Sequence, residues 1–247
     1  MKIQLVVPSE LSEITLGQYQ KFRDIVVKNP DNDRFVSDKA IEIFCKVPYE
    51  VVNSLKKKDY DFAIDTINKL ITELNNEDIV NSKVKLINTF KLNGFEFGFM
   101  PDLDDATQGE FWDINKFLGD WDKMHNAMAV LFRPITKKKG GLYLIEEYET
   151  SFKYSEQMKE APMNVVNAAM VFFYNLSSEL LSVIQVYLEE QLVKDIRSKK
   201  VLLQNGVDIP QLKKSLEETI LKLKMLLGLT SIPVLLSYPI NQKNLNY

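Results

Sequence analysis

Few side chains in this sequence are of the types that carry out chemistry, and the first group of them is acidic. Asp102, Asp104 and Asp105 lie close together, and their oxygens could hold a divalent cation. The group lacks the central glycine and the final glutamate of a calcium-binding loop. These acids also lie just before a predicted helix start, where negative charge is favourable without any metal. We interpret them as helix-entry residues, with metal binding as the alternative.

A second acidic group, Glu146, Glu147 and Glu149, follows a short apolar run. Paired carboxylates can act as general acid and general base when their separation suits the reaction, but nothing in the spacing sets that separation. We interpret these glutamates as solvated edge charges.

The sequence has one histidine, His125, and one cysteine, Cys45. One of each is too few for a zinc site built from nitrogen and sulfur ligands, and serine–histidine or cysteine–histidine catalysis would have to use His125. His125 follows Trp121 by one helical turn on an apolar face, so we interpret it as structural. Cys45 lies in the apolar run IEIFCKV and is predicted to be buried. No phosphate-binding glycine motif occurs, and we predict no cofactor and no enzymatic activity.

Composition narrows the class of protein further. The 247 residues include 45% hydrophobic and 26% charged residues, as in a globular protein with a real core. Lys and Arg total 31 against 34 Asp and Glu, so the net charge of -3 gives no overall attraction to nucleic acid. A single cysteine excludes an intrachain disulfide, which fits a reducing compartment.

One stretch raises the question of a membrane span. Residues 161–188 carry only one charge, Glu179, and are long enough to cross a bilayer. Asn and Gln side chains are scattered through the stretch, and buried amides are costly in lipid. We therefore predict a helix buried in protein and no membrane span.

The elements that must position these residues are mostly helical. Capping boxes at Thr15–Gln18 and Thr107–Glu110 mark helix starts. Helices are predicted over about 16–28, 37–45, a short piece after Pro48, 59–74 with Phe62 in its buried stripe, 108–117, 121–132, 163 to beyond 188, and 210–227. Strands are predicted over 3–7, 84–90, 95–100 with a buried aromatic face, and 142–145. Asn93–Gly94 predicts a tight hairpin turn between the second and third strands.

Two further local predictions concern the region before the last strand. Pro134 is predicted to end the helix over 121–132, and Lys137–Gly141 is predicted to be a flexible loop. Arg133 is predicted to form a structural ion pair, with the acids at 102–105 or Glu146 as its partner.

These predictions combine into a mainly α fold. We expect a single α-helical, bundle-like domain over 1–247, with a small β-hairpin insertion at about 84–100 and an apolar C-terminal tail at 230–247. Trp112 and Trp121 either pack together in the core or present an aromatic anchor to a partner. The tail is expected to pack on a partner or on the body. The candidate partner contacts are Trp112, Trp121, Val234, Leu235, Leu236 and Tyr238.

Four phrases of the sequence resemble a family of small proteins from crAss-like tailed bacteriophages that infect Bacteroidota. They are ITLGQYQKF at 14–22, DWDKMHNAMAVLFRPI at 120–135, LIEEYE at 144–149 and APMNVVNAAMVFFYNLSSELL at 161–181. Their order spans roughly two-thirds of the chain, and the part from Val201 onward lies outside the resemblance. The family carries no known catalytic residues.

The resemblance implies a non-enzymatic virion structural protein, either a portal- or tail-associated component or packaged cargo. The alternative is a tail-assembly chaperone that is absent from the mature particle. The implied partners are other phage structural proteins in an oligomeric assembly, without specific nucleic-acid binding, and the implied location is the virion, assembled in the bacterial cytoplasm. A hydrolase or nuclease using the acidic loop, and membrane insertion through 161–188, are the competing hypotheses from other classes.

Overall fold

The computed structural model describes residues 5–75, 84–103 and 105–199. Within them, eight α-helices are accompanied by four strands and by single 3-10 turns at Leu11–Glu13 and Trp121–Lys123. The helices are α1 (Leu16–Lys28), α2 (Asp33–Phe44), α3 (Tyr49–Ser54), α4 (Lys57–Asn75), α5 (Gln108–Phe117), α6 (Met124–Leu131), α7 (Ser155–Met158) and α8 (Met163–Lys199). The strands are β1 (Thr89–Leu92), β2 (Phe95–Phe99), β3 (Phe132–Lys139) and β4 (Leu142–Ile145). The described chain is mainly helical, as predicted, but its four-stranded antiparallel sheet makes the fold mixed and not the predicted helical bundle with a hairpin insertion.

The start of α1 is fixed against the segment that leads into α8. The Leu16 N–H donates to the Ala161 carbonyl at 2.9 Å, and the Met163 N–H donates to the Ile14 carbonyl at 2.8 Å. All four of these residues are almost completely buried. Because both hydrogen bonds are shielded from water, they tie the first helix to a segment nearly 150 residues later.

Capping residues set the helix starts. The predicted box at Thr15 is confirmed, since its hydroxyl accepts from the Gln18 N–H and the Gln18 side chain accepts in return. The second helix begins at Asp33 and not at Ser37, because the Asn32 side chain accepts from the Phe35 N–H and caps it earlier.

The stripe predicted for α4 is correct except at its first member. Ile64, Ile67, Leu70 and other apolar residues of that stripe are buried, but Phe62 is 64% exposed. The neighbouring residue, Ala63, is fully buried instead.

The predicted hairpin is present but is not a separate insertion. Asn93 and Gly94 have positive φ angles of 49° and 83°, as a two-residue hairpin turn requires. Strand β2 also pairs with β3 on its other side, and the sheet order is β1-β2-β3-β4, all antiparallel. The hairpin is therefore half of a sheet, and its first arm starts only at Thr89, with residues 84–88 outside any strand.

The chain enters β3 directly from α6. The helix ends at Leu131, so Arg133 and Pro134 belong to the strand, and the predicted helix end at Pro134 is too late. Lys137–Lys139 also lie in β3, opposite β4, and only Gly140–Gly141 form the turn. The loop prediction was wrong because a strand that pairs through its backbone can keep its lysine side chains exposed, as Lys137–Lys139 do.

Aromatic rings join the sheet to α8. Phe99 packs edge-on against Phe132 at 5.2 Å and against Phe172 of α8 at 5.5 Å between ring centroids. Phe97 is fully buried, but Phe95, which was predicted on the same buried face, is exposed. Since Phe95 lies at the hairpin turn, it extends past the helices that cover the rest of the strand.

The predictions for the two ends of the chain have different outcomes. The described part of the predicted first strand, Leu5–Val7, is not in a strand. In α8, the stripe residues Val165, Ala168 and Ala169 are buried as predicted. The predicted helix over 210–227 and the tail at 230–247 lie outside the described residues.

We expect Gly98→Ala to destabilise the fold by about 1–3 kcal/mol, because a methyl group at this position would clash with neighbouring side chains of the sheet. A Cβ on Gly98 would lie 2.5 Å from the Tyr143 ring and 3.0 Å from Ile135. Urea unfolding of both proteins measures the difference. In a Tyr143→Ala background the cost of Gly98→Ala should shrink, and an unchanged cost would contradict the proposed clash.

Candidate functional site

A buried ion pair lies at the centre of the region that joins α5, α6 and β3. Arg133 Nη1 donates to Glu110 Oε1 at 2.5 Å, and the two side chains are only 9% and 5% exposed. Glu110 also completes the predicted capping box, since its Oε2 accepts from the Thr107 N–H at 2.6 Å. One carboxylate therefore caps α5 and neutralises the guanidinium at the start of β3.

Tyr148 packs against the same guanidinium, and Asp113 in turn contacts Tyr148. Arg133 Cζ lies 5.6 Å from the centre of the Tyr148 ring, within the range of a cation–π contact. The Tyr148 hydroxyl donates to the Asp113 carboxylate. Burial, together with this hydrogen bond to a carboxylate, raises the pKa of Tyr148 to about 12. The phenol stays protonated at neutral pH and acts as a donor.

The environment of Glu110 favours its charged form. Burial alone would raise the pKa of this carboxyl, but hydrogen bonds from Thr107 and Arg133 outweigh burial and hold the pKa below its ordinary value. Because both charges are engaged with each other, neither is available to a substrate. The arrangement orients elements of the fold and does not resemble an acid–base pair poised for catalysis.

Arg133 forms a structural ion pair, as predicted, and its ion-pair partner among the described residues is Glu110 and not Glu146. Sequence reasoning had identified Glu110 as a capping residue and did not consider its second acceptor oxygen. A capping-box glutamate that flanks a buried arginine in the fold cannot be recognised from spacing, because the two residues lie 23 positions apart.

The acidic loop at 102–105 is described only in part, since Asp104 lies outside the described residues. Asp102 and Asp105 are exposed. Among the residues that the structure describes, no three His, Cys, Asp or Glu side chains converge in a way that could hold a metal ion.

The glutamates after β4 are used unequally. Glu146 accepts from Lys153 Nζ at 2.6 Å and from the Tyr154 hydroxyl. The hydrogen bond from Lys153, followed by that from Tyr154, lowers the pKa of Glu146. Glu149 also contacts Lys153, at 2.9 Å, and Glu147 is exposed. The prediction of solvated edge charges therefore fits Glu147 and Glu149, whereas Glu146 helps to fix the chain between β4 and α7.

His125 is half-buried and contacts α1. The Gln20 amide donates to the Trp121 carbonyl at 2.6 Å and lies 3.1 Å from His125 Nδ1, which accepts in the neutral ring. Burial, and then the positive charge of Lys159, lower the pKa of His125, although Glu156 and Asp120 act in the opposite direction. The ring is therefore a neutral acceptor that supports the α1–α6 contact.

Cys45 is buried, as predicted. Burial raises the pKa of its thiol to about 11. A thiol with so high a pKa carries little thiolate at neutral pH and is a poor nucleophile.

The two tryptophans are separated in the fold. Trp121 is buried and packs edge-on against Tyr19 at 4.9 Å, so it belongs to the core and a partner could not reach it without opening the fold. Trp112 is 65% exposed and contacts the exposed ring of Phe111 on the same helix. Trp112 stays a predicted partner contact, while Val234, Leu235, Leu236 and Tyr238 lie outside the described residues.

Comparisons with protein-family models, curated proteins and solved structures give no match to this chain. Within the described ranges, no helix has both the length and the apolar character needed to cross a membrane.

We expect Glu110→Gln to lower the free energy of unfolding by about 3–5 kcal/mol, because it leaves the Arg133 charge buried without a counter-charge. Chemical denaturation measures the loss. Glu96→Gln is the matched control, since the Glu96–Lys138 pair is exposed and should contribute less than about 1 kcal/mol. A double variant, Glu110→Gln with Arg133→Met, should recover part of the loss. Equal effects at Glu110 and Glu96 would contradict a buried pair.

We expect stability to fall as the pH drops below about 6.5, partly because of His125. Its folded pKa lies below the ordinary value of 6.5, so the unfolded chain binds the proton more readily and gains stability relative to the fold as the pH falls. Denaturation at pH 7.5 and 5.5 measures the slope, and His125→Gln should reduce it. A slope that is unchanged in the variant would assign the pH dependence to other groups.

Proposed function

We propose that this chain is a non-enzymatic structural protein of a bacteriophage particle, either associated with the portal or tail or packaged as cargo. The proposal starts from the four sequence phrases that resemble proteins of crAss-like phages. It is supported by how the structure uses those phrases and by the surface that the fold leaves exposed.

The observation that carries the proposal is the amount of apolar side chain outside an already filled core. Three separate places expose large apolar residues: Phe111 and Trp112 on α5, Leu142 and Leu144 on β4, and Val183, Val186 and Tyr187 on α8. Single exposed apolar residues are ordinary, but grouped ones are typical of interaction sites. Three such groups on different elements suit a subunit that contacts several neighbours.

The four resembling segments pack against one another. The segment at 14–22 contacts that at 161–181 through the Ile14–Met163 hydrogen bond, and it contacts the segment at 120–135 through Gln20 and Trp121. The segment at 144–149 meets the same 120–135 segment where the Glu146 N–H donates to the Pro134 carbonyl. The four segments that carry the resemblance therefore lie together in the fold, and the hydrogen bonds between them help to stabilise it.

The length of α8, and the exposure of side chains in its second half, also suit an assembly role. At about 1.5 Å per residue, its 37 residues span about 55 Å. Among the α8 side chains that the structure describes, the buried ones end at Val171 and those from Glu179 onward are exposed. A long helix with apolar side chains outside the body is a common means of joining subunits.

The test is mass spectrometry of purified mature particles of the virus that encodes the chain, with the copy number measured against the major capsid protein. We expect the protein in the particle, on the order of a dozen copies for a cyclic portal or tail ring. A larger or irregular number would assign it to packaged cargo. Its absence from particles, with the protein present in infected cells, would overturn the proposal and favour the tail-assembly chaperone.

The same particles test the role of Trp112. We expect a Trp112→Asp variant to be incorporated at a lower copy number, because a charge in an aromatic contact prevents its burial. Phe62→Asp is the matched control, since Phe62 is equally exposed but lies alone on α4. Equal incorporation of the two variants would remove Trp112 from the interface.

A further inference from the structure

We infer that the outer edge of β4 binds an extended acidic segment of a neighbouring subunit, which adds a fifth strand to the sheet. That the segment comes from a neighbouring subunit rests on the proposed function. That the segment is extended and acidic follows from β4 and the lysines beside it.

The first observation is the free backbone of β4. In the described chain β4 pairs only with β3, so it is an edge of the sheet. The Leu144 carbonyl accepts from the Thr136 hydroxyl of β3 at 3.3 Å, and the Glu146 N–H donates to the Pro134 carbonyl at 2.9 Å. Because backbone groups alternate along an antiparallel strand, those of Tyr143 and Ile145 point away from β3.

The edge lacks the features that usually prevent strand addition. Natural edges are protected by charged residues, by proline or by a bulge that twists the strand away. Strand β4 reads Leu-Tyr-Leu-Ile, without a charge or a proline, and Leu142 and Leu144 are 79% and 59% exposed. The register shift near Thr136 lies in β3, and the four residues of β4 follow one another in the pairing without an extra residue. An extended chain therefore fits this edge better than a helix does.

The register shows which charges border the edge. Lys139 lies opposite Leu142, and Lys137 lies opposite Leu144, so these four side chains share one face of the sheet. Lys138 lies on the other face and pairs with Glu96 at 2.7 Å. Among the described residues, no carboxylate lies within ion-pair distance of Lys137 or Lys139.

The bordering lysines select an acidic occupant. A glutamate on an added strand would lie two strand spacings from β3, about 9.6 Å, a gap that a glutamate and a lysine side chain span together. Its methylene groups would cover Leu142 and Leu144 while its carboxylate reached Lys139 or Lys137. On the other face, apolar residues of the added strand would pack beside Tyr143 and Ile145, which are half-buried. The favoured segment therefore alternates acidic and apolar residues.

A second copy of β4 fits less well. Strands β3 and β4 contain no acidic residue, so pairing two copies edge to edge would collect four lysines on one face without a counter-charge. Electrostatic complementarity favours a different, acidic strand.

The experiment measures binding of a fluorescein-labelled peptide of about seven alternating Glu and Val residues to the full chain by fluorescence anisotropy. We expect the peptide to bind, and an alternating Lys and Val peptide to bind about tenfold more weakly or not at all. The K137E/K139E variant should lose about tenfold in affinity. The matched control is K57E/K58E, which makes the same charge change at the exposed start of α4 and should bind as the unmodified chain does.

Hydrogen exchange identifies the binding mode. The amides of Tyr143 and Ile145 should become protected when the Glu and Val peptide binds, because they would donate to the added strand. Equal affinity in the K137E/K139E and K57E/K58E variants, or unchanged exchange at these two amides, would overturn the inference. A dimer of the unmodified chain in light scattering that dissociates in a Leu144→Asp variant would assign the edge to a second copy and overturn it as well.

The outcomes separate this inference from the proposed function. If the peptide binds at the β4 edge but the protein is missing from particles, the inferred binding site is supported and the proposed virion role is overturned. Presence in particles without binding at β4 would keep the role and remove this interface.

Discussion

The buried ion pair between Glu110 and Arg133 sets the arrangement of everything between α5 and β4. Removing two charges from water is costly, and the cost is offset only when each charge keeps its hydrogen bonds. Glu110 keeps them by capping α5 and accepting from Arg133, while Tyr148 stacks on the guanidinium. Neither α5 nor β3 can shift without exposing one of these charges to an apolar environment.

A second constraint joins the start of α1 to the start of α8. The hydrogen bonds between the start of α1 and the residues before α8 are fully enclosed by apolar side chains. They place α8 across the aromatic face of the sheet, where Phe172 meets Phe99. The helical layer and the sheet therefore share one core, and helices α1–α4 extend it on one side.

The buried side chains that could carry out chemistry serve the fold, and the proposed function therefore rests on the surface. Arg133 is neutralised, Cys45 is a buried thiol, and His125 accepts a hydrogen bond from α1. The exposed groups are aromatic on α5 and aliphatic with lysines at β4. Grouped exposed apolar residues are typical of interaction sites, which is why we propose an assembly role.

Features that depend on neighbouring residues could be predicted from the sequence. Helix starts at Thr15 and Thr107 and the turn at Asn93–Gly94 were predicted, because caps and tight turns are set by local backbone geometry. The glycine pair at 140–141 is the same kind of local signal and could have identified the second hairpin. Only the tertiary structure decided that Glu110 pairs with Arg133 and that β2 pairs with β3. These contacts depend on which distant segments meet, and that is decided by burial and electrostatics summed over the whole core.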